Sequence, residues 1–69
     1  MPRYESTLKE HRLEAGLSQE ALARQLGVTR QTVVNIERGV SEPRVLLALA
    51  IAGVLGVAVS DLFRKLLAP

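Results

Sequence analysis

Four side chains at helical spacing stand in the middle of the chain: Gln31, Val34, Asn35 and Arg38. Successive residues of a helix are about 100° apart, so these four share a face opposite the apolar Val33 and Ile36. Amides carry the donor and acceptor that suit the edge of adenine in the major groove, a valine suits the thymine methyl, and an arginine reaches a phosphate. The pattern therefore predicts a helix face that reads double-stranded DNA.

This face belongs to the second of two short helices predicted between residues 19 and 38. One apolar seam runs through both helices: Leu22, Ala23, Leu26, Gly27, Val28, Val33 and Ile36. Gly27 lies where the first helix has to end in a left-handed residue, and Thr29 is suited to cap the second. The small Ala23 lets the two helices cross closely. The sequence thus predicts a helix-turn-helix unit at residues 19–38.

The rest of the chain predicts an all-α fold, a single compact domain over residues 1–69. Its five helices are expected at about residues 5–15, 19–26, 30–38, 44–55 and 60–66. Gly16 suits the end of the first helix, and Ser18 and Ser60 suit the starts of the second and fifth. Pro43 suits the first turn of the fourth. In the fifth helix, three apolar side chains are expected to face inward: Leu62, Phe63 and Leu66.

Composition excludes several classes of site. The chain has 69 residues, a net charge of +2, no cysteine and one histidine, so neither a disulfide nor a metal cluster is expected. His11 lacks the nucleophile and orienting acid that a catalytic base needs, and we expect no enzyme activity and no cofactor. In a domain this small, a sizeable pocket beside the core is not expected, and neither is a small-molecule ligand.

An apolar run at residues 45–59 invites comparison with a membrane span. It contains fifteen residues without a polar side chain. As a helix it would measure about 22 Å, short of the roughly 30 Å hydrocarbon core, and Gly53 and Gly56 interrupt it. The N-terminus has no apolar signal region. We expect a buried core helix, no membrane insertion and a cytoplasmic location.

Motifs from Leu8 to Phe63 resemble the phage-repressor/Cro-like domains, the XRE family of helix-turn-helix regulators. They are GLSQEALARQLGVTRQTV, IERG, a proline shortly after it, and LGVAVSDLF, in family order and spacing. The resemblance implies a lambda-repressor-like fold and sequence-specific DNA binding by a small transcriptional regulator.

The resemblance also implies roles for individual positions. Together with the face described above, it makes these residues the expected base readers: Arg30, Gln31, Val34 and Asn35. Phosphate contacts are expected from Gln19, Thr29, Thr32, Arg38 and Arg44. Gln19 is also expected to brace Gln31, and Arg12 and Glu37 are expected to form a structural brace between the first and third helices. An arginine at the start of a helix opposes the helix dipole, which suits Arg30 to a nearby phosphate.

One domain of this size contacts few base pairs, so a homodimer on a two-fold operator is expected. The surplus aliphatic surface of the fourth helix and the tail is the expected interface, represented by Val57, Leu66 and Leu67. The same surplus keeps an alternative open, in which the chain is a protein-interaction module such as an antitoxin. Its main partner would then be a toxin, and DNA binding would be secondary.

Overall fold

The structure is a computed structural model that describes residues 2–65. Five helices are present: α1 (Leu8–Glu14), α2 (Gln19–Leu26), α3 (Arg30–Glu37), α4 (Val45–Leu55) and α5 (Val59–Leu62). Two short strands, β1 (Tyr4–Ser6) and β2 (Phe63–Lys65), pair antiparallel and join the two ends of the described chain. The prediction of five helices is confirmed, and the sheet is an addition that the sequence pattern did not indicate.

Every helix contributes to one hydrophobic core. Its buried members are Leu8, Leu22, Ala23, Val33, Ile36, Ile51, Ala52 and Leu62. The predicted seam of the helix-turn-helix unit is therefore present, with Leu26 and Val28 half-buried against the core. Because α2 and α3 both bury their apolar faces here, the outward face of α3 is held in one orientation relative to the domain.

The turns between the first three helices form as the sequence predicts. The Ser18 hydroxyl accepts a hydrogen bond from the Ala21 amide at 3.0 Å and caps α2. The Thr29 hydroxyl accepts from the Thr32 amide at 3.2 Å and caps α3. Gly27 adopts the left-handed φ of 71° that ends α2. These are local contacts within a few residues, which is why the sequence pattern shows them.

The outer helices are shorter than predicted. The first begins at Leu8 rather than residue 5, and the last ends at Leu62 rather than residue 66, because the segments beyond them form the sheet. In the sheet Tyr4 lies opposite Lys65 and Ser6 opposite Phe63. Backbone pairing between segments so distant in the chain leaves no helical or local signal. Leu66 and Leu67, and the inward orientation expected of Leu66, lie outside the described residues.

Two predicted helix starts are also wrong. Helix α5 begins at Val59, so Ser60 lies inside it, and the cap is instead the Asp61 carboxylate, which accepts from the Ala58 amide at 3.0 Å. Helix α4 begins after Arg44, so Pro43 precedes the helix rather than occupying its first turn. In α5 the Asp61 carboxylate lies within reach of the free Ala58 amide, three residues before it.

Helix α4 is apolar on every side, although only part of it is buried. Ala48, Ile51 and Ala52 face the core, while Val45 and Leu46 are exposed. Of the helices described, none combines the length and apolar character that crossing a bilayer requires. Val57, expected at a dimer interface, is half-buried and packs against the core.

Tyr4 fastens strand β1 to the end of α3. Its hydroxyl donates to the Ser41 carbonyl oxygen at 2.7 Å and lies 3.0 Å from that of Ile36, and its ring packs edge-on against Phe63 at 5.5 Å between centroids. The side chain is buried. It is the chain's single tyrosine, and the sequence pattern did not single it out.

Raising the pH should weaken the fold through Tyr4. Burial raises the pKa of the Tyr4 phenol, and the nearby Glu42 carboxylate raises it further. The folded state therefore holds this proton more tightly than the unfolded state, whose phenol titrates near pH 10. The stabilisation is complete below that pH and is lost as the pH rises through the folded-state pKa.

Urea unfolding at a series of alkaline pH values, with tyrosinate absorbance recorded in parallel, measures this loss. Tyr4→Phe is the control, and its stability should fall less steeply over the same window. An equally steep fall in the two proteins would contradict the assignment.

At Gly39 the structure leaves no space for a side chain. It has a φ of +73°, and a Cβ added there would lie 2.5 Å from the Tyr4 carbonyl oxygen. The Arg3 amide also donates to the Gly39 carbonyl at 2.7 Å, so strand β1 has little freedom to move away. This glycine is therefore required both for its conformation and for the close approach of β1.

Gly39→Ala should lower the free energy of unfolding by roughly 2 to 3 kcal/mol, because left-handed strain adds to the steric clash. Gly16→Ala is the matched control. Gly16 has the same φ with nothing within 4 Å of an added Cβ, so about 1 kcal/mol is expected there. Urea unfolding of both variants measures the difference, and equal losses would show that contact with β1 is unimportant.

Candidate nucleic-acid interface

The outward face of α3 carries the predicted readers. Arg30 and Gln31 are exposed, while Val34 and Asn35 are half-buried one turn further on. Arg38, just after the helix, is exposed. The Gln31 Nε2 donates to Asn35 Oδ1 at 3.0 Å. The structure thus brings the two amides together as one polar unit beside the valine.

The paired amides leave complementary groups free. With the Gln31 NH₂ bonded to the Asn35 oxygen, the Gln31 Oε1 remains an acceptor and the Asn35 Nδ2 remains a donor. Adenine presents an acceptor, N7, and a donor, the N6 amino group, side by side in the major groove. The free groups of the amide pair are therefore complementary to the hydrogen-bonding edge of adenine.

The N-terminal end of α3 gathers hydroxyl and guanidinium groups. The Thr29 and Thr32 hydroxyls are 2.9 Å apart, and both residues lie at the helix start, where backbone amides are free. The Arg30 Nη2 donates to Gln19 Oε1 at 3.2 Å. This end of α3 therefore offers donors and positive potential to an anionic backbone.

Gln19 forms no hydrogen bond with Gln31, so the expected brace between them is wrong. The Gln19 amide is instead used at both ends: its oxygen accepts from Arg30, and its Nε2 donates to Glu37 Oε1 at 3.0 Å. Gln31 pairs with Asn35 on the other side. Gln19 lies between the buried brace and the exposed arginine, and this tertiary contact has no sequence signal.

Arg12 and Glu37 lie together as an ion pair between α1 and α3. The Arg12 Nε donates to Glu37 Oε2 at 2.6 Å, and both side chains are almost completely buried, with 7% and 5% of their surface exposed. Arg12 Nη1 also donates to the Leu17 carbonyl at 2.7 Å. Because Gln19 occupies the second carboxylate oxygen, both oxygens of Glu37 are satisfied.

These bonds form a continuous chain from the core to the surface. Arg12 and Gln19 each donate a hydrogen bond to the Glu37 carboxylate. The Arg30 guanidinium in turn donates to the side-chain oxygen of Gln19. These hydrogen bonds span α1, α2 and α3, so the helix-turn-helix unit and the exposed Arg30 at the start of α3 are oriented by a buried charge pair.

The charges around α3 favour an anionic partner. Glu37 is neutralised by Arg12, whereas Arg30, Arg38 and Arg44 form no ion pair among the side chains of residues 2–64. Arg30 begins α3 and Arg44 precedes α4, so each cation opposes a helix dipole. A phosphate close to either one would offset that cost.

The sequence pattern of the helix-turn-helix family HTH_3 matches residues 8–62, four-fifths of the chain, including every residue of the buried brace. The chain belongs to this family. Its match begins at Leu8 and ends at Leu62, the outermost core residues of α1 and α5. The resemblance to phage-repressor-like domains of the XRE type is therefore confirmed.

Individual relatives agree with the family. An uncharacterized HTH-type transcriptional regulator of Methanothermobacter thermautotrophicus is 51% identical over 49 residues, covering 71% of each chain. The restriction-modification controller protein C.AhdI of Aeromonas hydrophila is 35% identical, with a TM-score of 0.70 over 78% of each chain. SinR, a master regulator of biofilm formation crystallised in complex with DNA, is 31% identical, with a TM-score of 0.69 over 77% of this chain and 86% of SinR.

For this helix-turn-helix protein, the interpretation as a sequence-specific DNA-binding regulator is thereby confirmed at the level of the family. So is the compact five-helix fold. The amide pair lies in the helix-turn-helix unit, and the hydrogen bonds that run from Arg30 through Gln19 and Glu37 link this unit to Arg12 of α1.

Proposed function

We propose that this chain regulates transcription by binding a two-fold operator as a homodimer, each copy reading one half-site with α3. The observation that carries the proposal is the hydrogen-bonded pair of Gln31 and Asn35 on the outward side of a helix whose other side packs into the core. In this proposal the pair binds adenine and Val34 contacts a thymine methyl. Arg30 both contacts a base and neutralises phosphate.

In this proposal the residues that bind phosphate, here called clamps, surround the residues that read bases. They are Gln19, Thr29, Thr32, Arg38 and Arg44, which bind phosphate and set the register of α3 in the groove. Support comes from the exposed Thr29 at the start of α3 and from the guanidinium groups of Arg38 and Arg44, which form no ion pair with the described side chains of residues 2–64. We place the protein in the cytoplasm, where it binds DNA without a cofactor.

Selection of bound sequences from random DNA tests the proposal. The expected result is an enriched, two-fold symmetric site whose halves are about one helical turn, roughly 34 Å, apart and contain adenine. A single unpaired motif would contradict the dimer. No enrichment even at low salt would contradict DNA reading, and would favour a protein-interaction module such as an antitoxin.

Arg38→Ala should weaken binding to all DNA sequences alike. A phosphate contact releases counterions without reading bases, so the slope of log K against log salt should fall by about 0.9 for each bound copy, or about 1.8 for the dimer. Fluorescence anisotropy titrations at several salt concentrations, with matched and mismatched duplexes, measure both effects. Arg24→Ala, an exposed α2 arginine paired with Glu20, is the control and should keep the full slope. A loss confined to the matched duplex would make Arg38 a reader.

A further inference from the structure

An apolar groove lies on the surface between the first half of α4 and the terminal sheet. Its volume is about 550 Å³, and it is lined by Tyr4, Pro43, Val45, Ala48, Leu49 and Phe63 among others. The length of the sequence predicted no concave surface of this size beside the core. It exists because strands β1 and β2 place two aromatic rings beside a helix that has no polar side chain.

A protruding aliphatic side chain stands beside the groove. Leu46 is 81% exposed, more than any other large apolar residue described in residues 2–64. Its neighbours Val45 and Leu49, which line the groove, are 73% and 55% exposed, while Val54 near the end of the helix is only 37% exposed. The unpartnered apolar surface is therefore concentrated in the first half of α4. Such a contiguous patch is typical of an interaction site.

The groove carries one charge of each sign. Arg3 and Glu42 both line it, and among the side chains of residues 2–64 neither forms an ion pair. They are brought to the same place because the Arg3 amide donates to Gly39 at the turn that leads to Glu42. An occupant of this groove should therefore present both a cation and an anion beside an aliphatic knob.

A second copy of this chain offers that combination. An isologous interface juxtaposes the same patch on both copies, so each residue type must find its complement within the patch itself. Here the knob Leu46 complements the groove, and Arg3 complements Glu42. A ligand or peptide of one charge would pair with one of these two groups and leave the other, which has the ligand's own sign, unpaired at the contact.

We infer that two copies dimerise through this surface, with Leu46 of each copy seated in the groove of the other and Arg3 of each copy paired with Glu42 of the other. The inference rests on the proposed homodimer and names its interface. It keeps the fourth helix, whose aliphatic surface the sequence pattern indicated, but places the contact at the start of that helix and at strand β1 rather than at Val57 and the tail.

The knob is tested by Leu46→Asp, with the mass of the protein in solution measured by sedimentation equilibrium without DNA. The dimer dissociation constant should rise by about a hundredfold or more, because a carboxylate would have to enter an apolar groove. Leu13→Asp is the matched control, since Leu13 is also exposed, at 58%, but lies on α1 away from the groove. Equal effects of the two variants would overturn the inference.

The charge pairing is tested by mixing two variants. Arg3→Glu alone juxtaposes two acids at each contact and Glu42→Arg alone juxtaposes two arginines, so each should dimerise at least about tenfold more weakly than the natural chain. Mixed in equal amounts, they should form a heterodimer in which both contacts join opposite charges, one as the natural Arg3–Glu42 pair and the other as its charge-reversed form. An Arg3–Glu42 contact within one copy would give no recovery on mixing, and that result would overturn the reciprocal arrangement.

Failure of the inference differs from failure of the proposed function. A natural chain that dimerises while Leu46→Asp dimerises equally well has its interface elsewhere, and the proposed homodimer then stands. A natural chain that stays monomeric at high micromolar concentration, with and without the selected DNA, overturns the homodimer and the inferred interface together.

Discussion

Replacing Arg12 by leucine is expected to lower the free energy of unfolding by about 3 to 5 kcal/mol, because it leaves the Glu37 carboxylate buried without its counter-charge. Only 5% of the Glu37 side chain is exposed, so water cannot replace the guanidinium. The Leu17 carbonyl loses its donor as well. A loss of this size approaches the total stability of a small domain, so the variant should be largely unfolded at 37 °C.

Urea unfolding followed by circular dichroism measures the effect, and Arg24→Leu is the matched control. Arg24 makes an exposed ion pair with Glu20 at 3.8 Å, so the same substitution there should cost less than about 1 kcal/mol. Replacing Arg12 and Glu37 together by leucine should cost less than Arg12→Leu alone, since no buried charge is then left unpaired. If the double variant were the less stable one, the cost would come from packing rather than from the charge.

The brace should also affect DNA binding through Arg30. Glu37 positions Gln19, and Gln19 positions the Arg30 guanidinium, so the double leucine variant removes this support while leaving a folded protein to assay. The double leucine substitution should lower the affinity for DNA in the natural chain. It should cause no further loss in a protein that already carries Arg30→Ala. That dependence would separate a positioning role from a general loss of stability.

Removing the amide pair is the second change with a large expected effect. Gln31→Ala and Asn35→Ala should each reduce discrimination between the selected operator and a mismatched one by about 1 to 3 kcal/mol. Because the two amides are bonded to each other at 3.0 Å, each single variant also frees its partner to rotate. The double variant should therefore lose about 2 to 4 kcal/mol, less than the sum of the single losses.

Anisotropy titrations at one fixed salt concentration, with operators changed one base pair at a time, measure this coupling. Gln25→Ala is the control, because Gln25 is an exposed amide on α2 outside the proposed reading face. Strictly additive losses would mean that the two amides read different base pairs independently. A loss shared equally by matched and mismatched DNA would make them clamps instead of readers.

The sequence alone determined the features that depend on neighbours within a few residues. The ends of α2 and α3, the left-handed Gly27 and the hydroxyl caps at Ser18 and Thr29 are formed by bonds spanning three or four residues. The proposed reading face of α3 follows from the same local geometry, since helical periodicity assigns Val33 and Ile36 to the core and the polar residues to the other side. The Arg12–Glu37 pair came from resemblance to a family, because no local pattern links residues 25 positions apart.

The tertiary structure decided the features that join distant segments. Strand β1 forms because β2 is brought beside it, and this pairing shortened two helices that periodicity alone would extend. The hydrogen-bond partners of Gln19 and Tyr4 depend on which helix ends meet in the folded chain. On α4 every side is apolar, so the sequence carries no contrast between its faces, and only packing shows that Ile51 is buried while Leu46 is exposed. A helix with a polar face identifies its own buried side, whereas a wholly aliphatic one depends on its neighbours for it.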